Sequence, residues 1–291
     1  MNNLATNEIP VAKKAAIQVA IQGYQGAFHH IASKHYFHNR EVNVMPANTF
    51  ADVVTLVEDG TVDAGLMAIE NTLGGSLMMN FHLLNETDLK ICGEISLKIQ
   101  LQLMALPGTK IEEITEVRSH HMAIRQCRSF FKKHPHIRLV EDVDTALSAK
   151  DIHTGQLKNV GAIASSLAAE LYDLEVIAPS IQTNNENSTR FLVLKKQDLL
   201  PTQAEKVSLC FATSHQVGSL LKVLNIFSAY NLNMTKIQST PLIGKEFEYL
   251  FFVDFVVEGD VSWQQAISAI EPVTSYLKVL GAYNLGKRIL E

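Results

Sequence analysis

The sequence predicts an α/β protein carrying a second, smaller unit at its C-terminus. Three observations carry this: strands alternate with amphipathic helices over the first two hundred residues, a polar stretch containing Pro201 interrupts at residues 195–206, and a βαββαβ order follows. In such proteins ligands sit at the carboxyl ends of strands in an open, largely parallel sheet.

After a polar tail, residues 16–21 read as a strand, Gly23 and Gly26 as a loop and residues 28–37 as a helix. Thr49 with Asp52 three positions on forms a capping signal for a helix with the apolar stripe Phe50, Val53, Val54 and Val57, ended by Gly60. Residues 63–69 return as a buried strand and 97–105 as another. Ser119 is read as the cap of a helix whose inner face carries Ile124, Cys127 and Phe131, with Pro135 beyond its end. Residues 160–164 form a short strand, 167–171 a helix, and 191–194 a strand that returns to the first lobe of a two-lobed unit, leaving a cleft between lobes. Past the polar linker come a strand (207–212), a helix with the stripe Val217, Leu220, Leu221, Leu224 and Phe227, strands at 232–239 and 247–257, a helix (262–270) and a strand (277–283), a ferredoxin-like order.

Composition narrows the function classes. Of 291 residues, 47% are hydrophobic and 19% charged, a balance that buries a large core without staples. A net charge of −5 offers no overall attraction to nucleic-acid phosphates or anionic lipid, so a small-molecule ligand is expected. Cys92, Cys127 and Cys210 are odd in number and far apart, as reduced thiols are. The early apolar run is interrupted by Gln18 and Gln22, and the longest one, 249–257, is broken by Asp254. A cytoplasmic protein without a membrane span is expected. His29, His30, His35 and His38 do not share a helical face, so they are read as surface residues and no metal is expected.

Three segments are candidates for chemistry. Glu70, Asn71 and Thr72 directly follow a buried strand, and Gly74, Gly75 and Ser76 let the backbone turn closely. If Ser76 opens a helix, its amides would favour a carboxylate that Asn71 and Thr72 orient; an ordinary strand-to-helix turn fits the spacing equally. Ser119 and Gln126 lie two turns apart and either face a cleft together or serve as a cap and a solvated side chain. The polar run 184–190 switches abruptly to a strand, placing Thr189 and Arg190 at its edge.

Taken in order, these segments resemble the prephenate dehydratase family. Residues 23–28 (Gly-Tyr-Gln-Gly-Ala-Phe) resemble its Gly-Pro-x-Gly-Thr/Ser-Phe, and residues 69–76 resemble Ile-Glu-Asn-Ser-x-x-Gly-Ser. Ser119-His120 with Gln126-Cys127 resembles Ser-His-Pro-Gln-Ala-Leu-x-Gln-Cys; Asp144-Thr145-Ala146 and Thr189-Arg190-Phe191 match outright. Ala27 stands where a hydroxyl residue is usual, His29 where a serine is, and His121 and Met122 where Pro and Gln are. Beyond the linker, residues 215–220 resemble His-x-Pro-Gly-Ala-Leu and residues 232–241 resemble Ile-Asn-Leu-Thr-x-Ile-Glu-Ser-Arg-Pro, with Gln238 and Thr240 replacing Glu and Arg.

The resemblance implies a polar tail over 1–14, a catalytic unit over 15–200 with the two-lobed fold of type II periplasmic binding proteins (lobe 1 about 15–95 and 185–200, lobe 2 about 96–184), and an ACT regulatory domain over 205–291. It implies conversion of prephenate to phenylpyruvate, CO2 and water without a cofactor. Thr189, Arg190 and Glu70 would be catalytic; Asn71, Thr72, Ser76, Ser119, Gln126 and Phe191 would bind substrate. Phenylalanine would bind at Gly218, Ser219, Leu220, Gln238, Ser239, Thr240 and Pro241, in a homodimer or homotetramer. Arogenate dehydratase is the alternative within the same chemistry, and a non-catalytic small-molecule sensor the alternative outside it.

Overall fold

The computed structural model describes residues 14–197, 199–242, 244–258 and 261–290; the expected polar tail lies, apart from Lys14, outside them. The chain opens with β1 (Lys14–Gln22), α1 (Phe28–Tyr36), β2 (Arg40–Ala47), α2 (Phe50–Glu58), β3 (Ala64–Asn71), β4 (Gly75–Ser76), α3 (Met78–Glu86) and β5 (Lys90–Lys98). β1 pairs in parallel with β2 and β3. The predicted capping box on α2 is present: Asp52 N–H donates to Thr49 Oγ1 (3.1 Å) and Thr49 N–H to Asp52 Oδ2 (2.9 Å). It buries Val53, Val54 and Val57.

A separate five-stranded sheet, ordered β10-β6-β9-β7-β8, is built from β6 (Gln102–Ala105), β7 (Glu116–His120), α4 (His121–Phe131), β8 (Arg138–Asp142), α5 (Thr145–Gly155), β9 (Val160–Ala164), α6 (Ser166–Leu171) and β10 (Glu175–Ala178). β11 (Ser188–Lys195) then returns to the first sheet, antiparallel to both β3 and β5. The run expected as one strand over 97–105 is therefore two strands in different sheets. Residues 99–101 cross between lobes beside the returning segment: Ile99 N–H donates to Asn187 O (2.8 Å) and Ile181 N–H to Leu101 O (2.9 Å). Apolar and polar residues alternate unbroken from Leu97 to Leu103, which hides the break because the crossing is itself buried; Ile99 and Leu101 are core residues.

The last unit has the expected order: β12 (Lys206–Ala212), α7 (Ser219–Ala229), β13 (Asn233–Pro241), β14 (Tyr249–Val256), α8 (Trp263–Ile270) and β15 (Tyr276–Tyr283). Its strands lie β13-β14-β12-β15 in antiparallel pairing. The stripe expected on α7 is displaced. Val217 precedes the helix and is fully exposed, Leu221 is exposed, and Val223 and Phe227, an i, i+4 pair, are buried.

Two features tie this unit to the first lobe more closely than a linker implies. β15 joins β5 in parallel at Gly281↔Ile91, making one sheet in the order β13-β14-β12-β15-β5-β11-β3-β1-β2. A Cβ at Gly281 would lie 2.3 Å from Ile91 O, so the join admits only glycine. Farther on, β16 (Lys287–Ile289) pairs with β5 in parallel. The sheet is consequently mixed, where a largely parallel one was expected. Even-numbered residues of β12 and β14 (Cys210, Ala212, Leu250, Phe252) pack with Phe81 and Leu84 of α3 in one core, while Val207, Leu209, Phe211, Val253 and Phe255 pack beneath α7 and α8 in another.

Candidate active site

A cavity of about 380 Å³ lies where the two lobes meet, large enough for a small organic acid. Strand alternation selects what faces it. Asn187, Thr189 and Phe191 sit at every second position and all line it, together with Asn71 at the end of β3. The second lobe supplies His120, Met122, Ala123 and Gln126 from the start of α4, and Val143, Asp144 and Thr145 from the start of α5.

A chain of amides crosses the cleft floor. Leu73 and Gly74 N–H donate to Asn71 Oδ1 (2.9 and 2.8 Å), which fixes the amide orientation and leaves its Nδ2 as donor. That Nδ2 donates to Thr189 Oγ1 (2.9 Å) and Asn187 Oδ1 (2.8 Å), and Asn187 Nδ2 donates on to Gln126 Oε1 (2.9 Å). Thr189 Oγ1 is thus an acceptor from the protein, with its own proton left to point into the cavity. Gln126 likewise keeps its NH2 group for a ligand.

The electrostatics of the wall are unusual for an anion site. No Lys or Arg is among the lining residues described. Instead α1, α4 and α5 all begin at the cavity, aiming the positive ends of their dipoles toward it. Asp144 already caps α5, accepting from Ala146 N–H (2.8 Å) and Leu147 N–H (3.0 Å), and burial raises its carboxyl above the usual range. His120 accepts from Met122 N–H through Nδ1 (3.4 Å), and burial, then its neighbour His121, lowers its pKa. The lobes are held together around this space. Ser165 Oγ donates to Gly26 O (2.5 Å), Tyr172 OH to Gln25 O (2.8 Å), and Gly23, at φ +95°, approaches Asp144 so closely that a Cβ would meet Oδ2 at 2.7 Å.

Thr189, Asn71, Gln126 and Phe191 therefore line the cavity. The other residues expected there do not. Arg190 and Glu70 follow and precede cavity residues along their strands and project from the opposite face. Arg190 is buried in an ionic cluster: Nε donates to Glu94 Oε2 (2.7 Å), Nη1 to Asp254 Oδ2 (2.6 Å) and Nη2 to Tyr283 OH (3.2 Å). Burial works against its charge, but Asp254, Tyr283 and Glu94 outweigh it and raise the guanidinium pKa further. Lys206 completes the cluster with both oxygens of Glu94 at 3.0 Å, and Ser208 Oγ donates to Asp254 Oδ1 (2.5 Å). Glu70 is paired with Lys236 of β13, with Arg190 Nη1 farther off at 3.5 Å.

Ser76 lies in β4 and not at a helix start; its Oγ accepts from Lys236 Nζ (3.1 Å). Thr72 Oγ1 donates to Glu186 O (2.8 Å) and accepts from Ser188 N–H (2.9 Å), bracing the loop that leads into β11. Ser119 belongs to β7, fully buried, with Oγ donating to Ile163 O (2.6 Å); the cap of α4 is His120. Of the histidines expected on the surface, His30 is buried and His29 half-buried, because α1 turns its first turn inward. Burial lowers both imidazoles to about 4, in His30 with help from Lys34.

Of the effector candidates, Gly218 caps α7 at φ +78°, with Ser219 and Leu220 in its first turn. Gln238, Ser239, Thr240 and Pro241 lie on β13, an edge strand. The pairing Thr240↔Leu250↔Ala212 puts both segments toward one end of the sheet. Thr240 is buried with Oγ1 3.2 Å from His82 Nε2, facing α3 and not a free surface.

A two-lobed α/β unit with two chain crossings, enclosing a small cavity lined by apolar side chains, amides, Thr189 and the Asp144 carboxyl, has the form of a site for one small organic ligand between lobes. Known proteins sharpen this. The prephenate dehydratase family model matches residues 19–199. A bifunctional chorismate mutase/prephenate dehydratase of Aquifex aeolicus is 36% identical over 271 residues, 92% of this chain and 73% of that one. Arogenate dehydratase 2 of Petunia hybrida is 36% identical, over 97% of this chain and 74% of that one. Among solved structures, GqqA, described as a novel type of quorum-quenching acylase, matches at TM-score 0.83 with 27% identity, covering 92% of this chain and 98% of that one. The prephenate dehydratase of Staphylococcus aureus matches at TM-score 0.79 with 28% identity, covering 92% and 100%. The chain belongs to the prephenate dehydratase family, and it is a carbon–oxygen lyase.

Proposed function

We propose that the chain removes water and CO2 from prephenate, giving phenylpyruvate for phenylalanine synthesis. One observation carries the chemical assignment: Thr189 Oγ1 accepts from Asn71 Nδ2, so its hydroxyl proton is free to be donated within the cavity. As the ring carboxylate leaves as CO2, its C–C bonding pair enters the ring, which aromatises and expels the hydroxyl. That hydroxyl acquires negative charge and becomes water on gaining a proton. Thr189 donates the hydrogen bond that strengthens as this charge grows, and its acceptor role toward Asn71 makes it a better donor.

The absence of Lys or Arg from the described lining suits this step. A tight ion pair to the departing carboxylate would stabilise the ground state and slow its loss. Neutral amides of Asn71, Asn187 and Gln126, with the converging helix ends, orient the dianion instead, and Phe191 covers the ring. Arg190, Glu70, Thr72, Ser76 and Ser119 act as scaffold for these groups.

The βαββαβ unit is read as an ACT-like domain that takes phenylalanine near Gly218–Leu220 and Gln238–Ser239. Exposed Val217, Leu221, Ile237 and Phe247 on this unit support pairing with a second copy. The unpaired thiols of Cys92, Cys127 and Cys210 support a reducing, cytoplasmic setting. Among the described residues no helix is long and apolar enough to cross a membrane. An acylase reading, raised by GqqA, finds less support: a threonine nucleophile needs an adjacent base, and Thr189 Oγ1 is paired with an amide nitrogen.

The test is formation of phenylpyruvate from prephenate by the purified chain, in competition with arogenate and with or without phenylalanine. Turnover of prephenate that arogenate does not outcompete supports the reading. Preference for arogenate reassigns the substrate, and no turnover of either by folded protein overturns it.

A further inference from the structure

Two cross-strand pairs meet where the C-terminal unit touches the first lobe. Lys236 of β13 and Asp254 of β14 are register partners, and so are Glu70 of β3 and Arg190 of β11. Their charges are complementary: Lys236 Nζ pairs with Glu70, and Asp254 Oδ2 accepts from Arg190 Nη1 (2.6 Å). In the sheet order β12, β15 and β5 lie between the two pairs, so these contacts run across the packing and not along the ladder. Each partner in the first lobe has a cavity residue beside it in the chain, since Asn71 follows Glu70 and Thr189 precedes Arg190.

Lys236 does more than close a charge pair. Its Nζ also donates to Ser76 Oγ (3.1 Å), and Ser76 is the register partner of Glu70. One ammonium thus ties both strands of the hairpin formed by β3 and β4, of which β4 has only two residues. The turn of that hairpin supplies Leu73 and Gly74 N–H to Asn71 Oδ1, and Asn71 Nδ2 donates to Thr189 Oγ1 (2.9 Å). The Lys236 side chain is 8% exposed, with Nζ 5.0 Å from the centre of the Phe81 ring. Taking an ammonium out of water is unfavourable, and an apolar side chain of that size would join the two units without that penalty. What the ammonium adds is direction, because its charge-assisted bonds fix where β4 lies against β3.

We infer that Lys236 is a positioning residue for the reaction, a clamp from the C-terminal unit that holds the 71–75 turn, and through it the Asn71 amide, in line with the Thr189 hydroxyl. Chemistry in the cleft is thereby made to depend on where β13 sits. The part Thr189 plays in turnover rests on the dehydratase reading; the clamp does not.

Lys236→Met keeps a stem over Phe81 and removes the ammonium, and Lys236→Arg restores a cation. Lys236→Met is expected to lower kcat for prephenate about tenfold with KM within about twofold, as for a donor held slightly out of line, and Lys236→Arg to recover most of the loss. Lys236→Met combined with Glu70→Gln removes both charges together, so no carboxylate is left unpaired should the single variant fail to fold, and it is expected to show the same loss. A purely structural role would lower activity equally with and without the Thr189 hydroxyl. The clamp acts through that hydroxyl, so in a Thr189→Val background Lys236→Met is expected to lower kcat by less than about twofold. A kcat within twofold of wild type, or the tenfold loss repeated in the Thr189→Val background, would overturn the inference. So would a Lys236→Arg enzyme no better than Lys236→Met. If the wild type turns over neither prephenate nor arogenate, the side-chain amide resonances of Asn71 decide. Resonances that move in Lys236→Met and return in Lys236→Arg keep the clamp while the dehydratase reading falls; resonances that stay in place overturn the clamp as well.

Discussion

The two faces of β11 are built on opposite principles. Asn187, Thr189 and Phe191 face a cavity with no Lys or Arg among its described lining residues, whereas Arg190 between them enters a buried cluster with Glu94, Asp254, Lys206 and Tyr283. One face leaves hydrogen-bonding capacity open for a ligand; the other satisfies every charge it buries with a partner from the C-terminal unit or β5. The difference separates chemistry from architecture: two adjacent residues of one motif serve different ends because a strand turns them to opposite sides.

The largest effect expected on either face comes from breaking the charged one. Arg190→Met leaves Glu94 and Asp254 buried with one cation fewer, and loss of one member of a buried ion pair costs about 3–5 kcal/mol. The unfolding free energy from urea titration should fall by that amount, and the join between β15 and β5 should loosen, read as faster amide exchange at residues 90–94. Arg190→Met protein that keeps wild-type stability but loses turnover would show instead that the guanidinium reaches the substrate, and the comparison would collapse.

Thr189→Val tests the other face. It is nearly isosteric and removes only the hydroxyl, so stability should change by about 1 kcal/mol, the scale of a single lost hydrogen bond. Turnover should fall by about 10²–10³, as when one positioned donor to developing negative charge is removed. The fall should appear in kcat with KM little altered, because the bond tightens only as the hydroxyl departs.

How much of this was legible beforehand follows from the same alternation. The order of the C-terminal unit, the Thr49–Asp52 box and the inner face of α4 were readable because each depends on local spacing. Asn71, Thr189, Gln126 and Phe191 were named from motifs and do line one cavity. Arg190 and Glu70, expected to act beside Thr189, stand on the opposite face of their strands, as period two requires of the neighbours of Thr189 and Asn71. Asn187 was passed over while the same rule put it beside Thr189. By contrast, the burial of His29 Nε2, the capture of Ser119 by Ile163 O and the merging of two sheets through Gly281 depend on contacts between distant segments. No local pattern encodes them.

A third measurement compares how the two faces answer to acid. His29 and His30 have folded pKa values of about 4 against 6.5 when unfolded, both lowered first by burial. Between these values the unfolded chain binds protons the folded chain refuses. Their contribution is therefore complete above pH 6.5 and is lost as pH falls toward 4, at up to about 1.4 kcal/mol per pH unit for each histidine. Asp144 works in the opposite sense: its raised pKa favours the folded form once protonated, so it softens the loss near pH 4. Urea midpoints measured from pH 7 to 4.5 should decline, and His29→Phe should remove up to half of the slope that the pair contributes. An unchanged slope would mean that His29 takes up a proton in the folded protein.

The smallest effect sits where the open face meets its helix. Ala27 holds the cap position of α1 at φ −64°, ψ 162°, a backbone suited to a capping side chain, yet it supplies none. Ala27→Ser restores the hydroxyl usual in the family and should add about 0.5–1 kcal/mol of stability, read as a higher urea midpoint. The same hydroxyl would occupy a first-turn amide at the end of α1 that borders the cavity through Phe28 and His29. If those amides help hold the substrate, KM should rise about twofold as stability rises, since the free energy is of similar size. A gain in stability with KM unchanged would place anion binding on α4 and α5 alone, and the open face would then be open on the second lobe only.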